Sequence, residues 1–540
     1  MDVNDTSETF PAAVAALARH HGDLEAVVAP EGRVTFAELA ARADAFAGSL
    51  AAAGLRPGDR IGLQLPNGLR WIVTSLGAHR AGLTVVPINT WYRSTELKHV
   101  AQTVGLRLVV TAGTIFGRDV LDDLREAGYG EEYGGAYGDT GSRSDGYLGA
   151  LVWPADAALP PALPTGTPPA ATAGREDVAF ILFTSGSTAL PKPVPVRQGL
   201  LLANGRAVGR RMRLRLGDRL WIAAPFFFGF GCENAFPVAL THGVTLCLQE
   251  RVDPAAALAM IERERCTVYY GLTPTTRALT SSDAFGRYDI SSLRTGVLGL
   301  MGEGNRLAYE KLGLTDGCSA YGITEGYGFV ATTDADDPLD VRVHTQGRAL
   351  PTQQLRVVDE RGVPCPPDVA GQLEIRGAVT EGYLDSPEQN AEAFTADGWF
   401  RTGDLASVDA EGRMSYVGRW NELMKINGIR IAPSEVEKII IEHGDVDEVF
   451  VVGMTDAGGD ERMACALVPR PGADTAGLAE RIRSHVRARA ASYKVPTRFL
   501  VLTDDAVPMT DTGKVSRRLL RARFEAAEFD ATEFDAEEGR

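Results

Sequence analysis

Residues 184 to 192 read Thr184-Ser185-Gly186-Ser187-Thr188-Ala189-Leu190-Pro191-Lys192: four hydroxyl side chains around a glycine, then a lysine. Hydroxyls and turn amides of this kind offer donors to an anion, most often phosphate. The spacing differs from the Gly-x4-Gly-Lys-Ser/Thr loop of the common nucleoside triphosphatases. Alone, the stretch is open to two readings, a phosphate cradle or a serine-rich surface turn. Other groups further along have suitable chemistry. Thr324-Glu325 sets a hydroxyl beside a carboxylate. Asp404 follows Thr402-Gly403, Arg419 follows Gly418 and Lys514 follows Gly513. Taken singly, each has a plain alternative as a turn residue or a solvated charge.

Positioning such groups takes strands that empty into loops. Val178 to Phe183 is a continuous apolar run, expected to be a buried strand leading into the hydroxyl-rich loop. Thr35-Phe36-Ala37-Glu38 is a capping box, followed by Leu39, Ala43, Phe46 and Leu50 at helical spacing and by Gly54 at a helix end. Arg60 to Leu65 and Leu83 to Ile88 read as strands flanking another helix. This alternation predicts an α/β fold. Residues 1–417 are expected to form a large N-terminal domain of stacked β-sheets with packed helices, with a strand-rich subdomain over 345–417. Residues 418–525 are expected to form a small α+β domain. From about 128 to 174 the chain turns Gly/Tyr-rich and then Pro/Ala-rich, which predicts a long, partly mobile surface excursion. In the small domain, Ser434-x-x-Glu437 is expected to cap a helix carrying Val436, Ile439 and Ile440, ahead of a strand at Val449 to Val452. Residues 526–540 read as an acidic, solvated tail.

With 540 residues, 44% of them hydrophobic and 23% charged, the chain is globular and long enough for more than one core. Its net charge of −16 argues against a general affinity for nucleic acid or anionic membranes. Six scattered cysteines lack metal-ligand spacing and read as buried thiols of a reducing compartment. The amino terminus has no signal-peptide profile, and no uncharged apolar run reaches about 18 residues, so a cytoplasmic location is expected.

Order adds what no single motif carries. After the hydroxyl-rich loop come Tyr321-Gly322-Ile323-Thr324-Glu325 and Trp399-Phe400-Arg401-Thr402-Gly403-Asp404-Leu405. Gly418-Arg419 follows, with Lys425-Ile426-Asn427-Gly428, and then Pro508-Met509-Thr510-Asp511-Thr512-Gly513-Lys514. In this order and at these separations they resemble the core motifs of the acyl-adenylate-forming superfamily of acyl-CoA synthetases, peptide-synthetase adenylation domains and luciferases. The resemblance runs from Val34 to Arg523 and is nearest to a free-standing, AMP-forming acyl-CoA synthetase.

The resemblance implies that ATP activates a carboxylic acid to an acyl-AMP with loss of pyrophosphate, after which coenzyme A forms the thioester. In that scheme Thr184, Ser185, Gly186, Ser187, Thr188 and Lys192 hold the β- and γ-phosphates. Glu325, with Thr184 or Thr188, binds Mg2+, and Thr324 hydrogen-bonds the α-phosphate. Tyr321, beside Gly322, lies against adenine. Asp404 takes the ribose hydroxyls with Arg419 nearby. Lys514 reaches the carboxylate and the α-phosphate, which makes Lys514, Thr324 and Glu325 the catalytic set. The small domain is implied to be mobile, swinging about a hinge at Asn421 to present Lys425 and Gly428 to the acyl-adenylate and the pantetheine arm.

Pro225 to Gly231 corresponds to the family segment that borders the acyl pocket, with Phe228 where histidine is common. Phe227, Phe228, Phe230, Asn234 and Ala320 are implied to line that pocket, and Glu233 and Asn234 are placed to contact a polar substituent. Phe230 falls where amino-acid-activating domains carry an aspartate for the substrate ammonium, and an ammonium buried against phenylalanine is costly. The expected substrate is therefore an acid without an α-amino group, aromatic, alicyclic or medium-chain. Simple core packing is the competing reading of the phenylalanine cluster. Ile431-Ala432-Pro433-Ser434-Glu435-Val436-Glu437 resembles the corresponding run of acyl-CoA synthetases, and no Gly-Gly-x-Ser carrier motif is present. Both favour coenzyme A as the acceptor; a separate carrier protein is the alternative within the enzymes. Outside them, the alternative is a catalytically weak relative that binds nucleotide or acid, motivated by Ala189 and Pro193 where the family has glycine. Proline at 193 removes an amide donor that could face phosphate. No nucleic-acid or membrane partner is expected.

Overall fold

The computed structural model describes residues 9–129, 147, 149–153, 164–169, 173–184, 191–299, 302–426, 429–455, 461–503, 506–509 and 515–526. They divide into two compact units. The larger comprises Met1–Arg356, Glu374–Thr402 and Asp409–Ser415; the smaller takes Val357–Leu373, Gly403–Val408 and Tyr416–Arg540. The smaller unit thus draws in two stretches ahead of residue 418, and Asp404 belongs to it.

Strand–helix–strand repeats build two sheets in the larger unit. Six strands lie in the order Lys192–Arg197, Val178–Thr184, Thr84–Pro87, Arg60–Gln64, Leu108–Thr111 and Ala150–Val152. All pair in parallel except the edge strand Lys192–Arg197, which turns back antiparallel on Val178–Thr184. The second sheet has nine strands, in the order Arg348–Ala349, Gly328–Thr332, Cys318–Ile323, Thr295–Leu298, Val268–Tyr270, Arg219–Ile222, Thr245–Leu248, Glu25–Ala29 and Gly32–Thr35. From Glu25–Ala29 to Cys318–Ile323 its pairs are parallel, and antiparallel pairs close both ends. Parallel strands are covered on both faces, which explains the near-continuous apolar runs. One buried cluster takes Leu63 and Phe180 from the six-stranded sheet, Leu220 and Leu246 from the nine-stranded sheet, and Phe46, Ile72 and Phe236 from the helices between them. Within it Phe10 stacks on His79 and Phe236 at 5.0 and 5.2 Å. His79 Nε2 lies 3.0 Å from the Ala179 carbonyl, and burial holds its pKa down at about 4.

The Thr35 box forms as the spacing predicts. The Glu38 amide donates to Thr35 Oγ1 at 3.2 Å, the Thr35 amide donates to Glu38 Oε2 at 2.9 Å, and Gly54 follows the helix Phe36–Ala52 with φ +89°. The second box does not form. Pro433 occupies the first position of the helix Pro433–Ile441, where its fixed φ and missing N–H are harmless. That moves the cap to Ala432, whose amide donates to Glu435 at 3.1 Å. Ser434 instead donates to the Val417 carbonyl, and Glu437 accepts from the Val451 amide. The stretch 128–174 is also not all excursion: Ala150–Val152 extends the six-stranded sheet, and the buried Trp153 stacks on Phe46 at 5.3 Å.

The smaller unit is α+β. Val446–Thr455, Glu461–Pro469 and Arg498–Val501 form a three-stranded sheet, covered by Pro433–Ile441 and Leu478–Arg487 around Val436, Ile440, Val451, Leu467 and Ile482. Among the described residues no helix is long and apolar enough to cross a membrane, and all six cysteines are free thiols.

Candidate active site

Open parallel sheets take ligands beyond the carboxyl ends of their strands. Thr324 and Glu325 stand there, in the 3-10 turn Thr324–Gly326 that follows Cys318–Ile323. The turn is held from several sides. Tyr327 adopts φ +60°, a left-handed conformation that needs outside support. The Asn204 carboxamide supplies it by donating to the Tyr327 and Phe329 carbonyls at 3.1 and 3.2 Å. Gln353 donates to the Gly326 carbonyl at 2.9 Å, and the Glu325 carbonyl accepts from the Thr380 amide at 2.8 Å. The Arg197 amide donates to the Tyr327 hydroxyl at 3.2 Å; burial pushes that phenol up to about 12. Tyr321 and Ala320 lie in the strand itself, both buried, and Gly322 is half-buried.

Residues 185–190, hence Ser185, Gly186, Ser187, Thr188 and Ala189, lie outside the described residues; the ends of their loop do not. Thr184 and Lys192 stand directly opposite each other in the antiparallel pair. Lys192 Nζ sits 4.8 Å from the centre of the Tyr383 ring, and the Tyr383 hydroxyl donates to Glu325 Oε1 at 2.8 Å. Tyr383 therefore joins the Lys192 ammonium to the carboxylate of the 324–326 turn. It was not among the residues read from the sequence, where Glu381-Gly382-Tyr383 carries no distinguishing pattern. Pro193 also differs from expectation. It lies within the strand opposite Phe183, its carbonyl accepting from the Leu384 amide at 3.1 Å, while the Pro195 carbonyl accepts from Thr380 Oγ1 at 3.0 Å. In an antiparallel pair a residue's N and C=O point the same way. The N–H that Pro193 lacks would thus point to the outer edge of the sheet, where Thr380–Leu384 covers it.

The phenylalanine run divides residue by residue. Phe226 is core, edge-on to Trp71 at 5.0 Å, and its amide donates to Asn67 Oδ1 at 2.8 Å. Phe227 is buried between Phe228 and Trp91, at 4.5 and 5.5 Å. Phe228 and Phe230 are partly open. Phe230 starts the π-helical turn Phe230–Ala235 and packs on Tyr270 and Phe329 at 5.2 and 6.2 Å. Asn234 donates to the Gly229 carbonyl at 3.0 Å and its carboxamide lies against Gly328. Glu233 is 1% exposed, and burial beside the charge of Glu325 pushes its carboxyl well above the usual range.

The smaller unit carries its own set. Asp404, 1% exposed, pairs with Arg419 at 2.9 Å. Asn421 lies in the 3-10 turn Trp420–Glu422 directly after Arg419. Arg517 pairs with Glu422 at 3.2 Å and with Glu437 at 2.9 Å. Lys425 is exposed on the strand Met424–Ile426, its amide donating to Glu461 at 2.7 Å. Gly428 and Lys514 lie outside the described residues; Met509 and Val515, which flank residues 510–514 in the chain, form a β-bridge. Among the described residues no cluster of three or more His, Cys, Asp or Glu could hold a metal on its own. The Glu325 carboxylate fits an Mg2+ ion that arrives with phosphate oxygens.

Residues 14–384 match the AMP-binding enzyme family, and residues 435–514 match the AMP-binding enzyme C-terminal domain. Over 535 residues the chain is 30% identical to a methyl-dioxo-octahydroindenyl-propanoyl:CoA ligase of Rhodococcus jostii, covering 95% of this chain and 98% of that protein. It is 29% identical to a mitochondrial medium-chain acyl-CoA ligase of Mus musculus, covering 94% and 86%. The crystal structure of ATP-bound MatB from Rhodopseudomonas palustris superposes with a TM-score of 0.81 at 26% identity, covering 96% of this chain and 99% of that one. Matched in both of its parts by family and by fold, the chain belongs to the AMP-binding enzymes, ligases that activate a carboxylic acid with ATP before passing it to coenzyme A.

Proposed function

We propose that this ligase activates a ring-bearing or medium-chain carboxylic acid that carries no α-amino group. The observation that carries the proposal is Phe230, set against Tyr270 and Phe329 at the mouth of the π-helical turn. An ammonium set among Phe230, Tyr270 and Phe329 would lose its hydration against rings that offer it no counter-charge. The relatives that act on an alicyclic propanoyl group and on medium-chain acyl groups support the same class.

In the first step an oxygen of the acid attacks the α-phosphorus of ATP, the bond to the β-phosphate oxygen breaks, and pyrophosphate leaves. The loop from Thr184 to Lys192 takes the β- and γ-phosphates. Thr324 donates to the α-phosphate, and Glu325 is held for the Mg2+ ion by Tyr383. The metal, when bound, neutralises charge on the phosphates. Asp404, beside Arg419, accepts from the ribose, and Lys514 offsets the charge of the carboxylate as it approaches phosphate. In the second step the thiolate of coenzyme A attacks the acyl carbon and AMP leaves, with Lys425 and Gly428 serving the thiol after movement about Asn421. The acidic charge and six free thiols support work in a reducing, cytoplasmic compartment.

Acid-dependent exchange of pyrophosphate into ATP, across a panel of acids, tests the first step; coenzyme A and a phosphopantetheinyl carrier protein, offered in turn, test the second. Exchange with at least one non-amino acid and thioester formation on coenzyme A are expected. Exchange with amino acids alone would overturn the substrate class, and no exchange with any acid would overturn the ligase reading.

A further inference from the structure

The adenylation chemistry gives every polar group of the 324–326 turn a task but leaves Glu233 without one. Its side chain is buried, and neither carboxyl oxygen has a hydrogen-bond partner among the described residues. Asn234, next to it, is committed to the Gly229 carbonyl. A buried carboxyl without a partner is costly to keep, and such a group calls for an explanation in a ligand or a strained functional site. Its direction is set by Gly229. A side-chain carbon there would lie 2.2 Å from Glu233 Oε2 and 3.7 Å from Thr324 Oγ1. The carboxyl therefore lies over the glycine, on the side of the turn that carries Thr324. The nearby walls at Phe230, Tyr270 and Phe329 are rings. Whatever occupies this spot must bring its own polar atom.

We propose that Glu233 is a specificity-determining residue that hydrogen-bonds a hydroxyl carried close to the carboxyl group of the substrate, making hydroxylated acids the preferred class. The inference rests on the ligase reading above. A hydroxyl both donates and accepts, so it matches the carboxyl in either protonation state. A plain methylene leaves Glu233 unpaired, and an ammonium brings three donors to a single carboxyl among rings.

Matched acids decide the matter in pyrophosphate exchange: phenyllactate against 3-phenylpropanoate and phenylalanine, and 2-hydroxybenzoate against benzoate. The expected kcat/KM of the wild type is about 10- to 100-fold higher for the hydroxylated member of at least one set. Glu233→Gln retains both hydrogen-bonding roles and the preference; Glu233→Leu reduces the ratio to within about twofold, with a melting temperature no lower than wild type because an unpaired polar group has been removed. Equal rates within both sets, a preference that survives Glu233→Leu, or a preference for phenylalanine would each overturn the proposal. The wild-type ratios alone decide it if the leucine variant does not fold. Exchange without discrimination defeats this inference only, whereas no exchange with any acid defeats the ligase reading and this inference with it.

Discussion

The turn at Thr324–Gly326 and the segment around Arg419–Glu422 both carry functional groups, yet they are secured by opposite means. Neutral donors fix the first: Asn204, Gln353 and backbone amides grip its carbonyls, and the Tyr383 phenol holds Glu325. Charges fix the second, through Asp404 with Arg419 and Arg517 with Glu422 and Glu437. Neutral hydrogen bonds are directional and little affected by ions, which suits the metal-holding role proposed for Glu325. A pair whose cation stays open to solvent, as Arg419 does, can exchange partners, which suits the hinge and the ribose-binding aspartate proposed above.

The sharpest way to break this division is Lys514→Ala. Adenylation should fall by about 10²- to 10³-fold, the cost of losing a group aimed at developing charge. Thioester formation from supplied acyl-AMP should stay within a few-fold, and equal loss in both half-reactions would show that the two regions do not work in separate steps. The neutral interior of the larger unit has an acid weakness. The unfolded chain protonates His79 near its ordinary 6.5, while the folded state resists down to about 4. Its contribution is whole above pH 6.5 and drains as the pH falls toward 4, by about 3 kcal/mol. Thermal melts of wild type and His79→Gln over that range check this, and identical slopes would refute it. Arg517→Met should cost roughly 2–3 kcal/mol by leaving Glu437, whose carboxyl burial already pushes up, without its cation. Because Glu437 is largely buried, that cost should change little with salt, whereas the more exposed Arg419–Asp404 pair should weaken. Smallest, Tyr383→Phe should lower kcat about tenfold at saturating substrate and raise the Mg2+ requirement, for a loss of about 1.4 kcal/mol in one charge-assisted hydrogen bond. An unchanged Mg2+ requirement would remove Tyr383 from the site.

What the sequence reveals follows the range of the interactions. The Thr35 box is local chemistry and was legible, as were the strand entering the phosphate loop and the order of the motifs. The cap at 434–437 was misplaced because two chemically sensible boxes overlap and Pro433 decides between them. Asn204, Gln353 and Tyr383 were invisible because their partners lie far away in the chain, 123, 27 and 58 residues off. The phenylalanine run does not behave as one unit: Phe226 is core, while Phe228 and Phe230 stay partly open. Glu233 could be noticed in sequence, but only packing reveals that it lacks a partner.

The strand Lys192–Arg197, with Pro193 and Pro195 turned to the rim, has a consequence beyond catalysis. A free sheet edge is a template on which another copy can add a strand during synthesis or after heating. Here the rim offers carbonyls but lacks two of its amides, and Thr380–Leu384 already occupies the acceptors. An incoming strand finds an incomplete ladder, so Pro193 and Pro195 make this sheet edge a poor seed for aggregation.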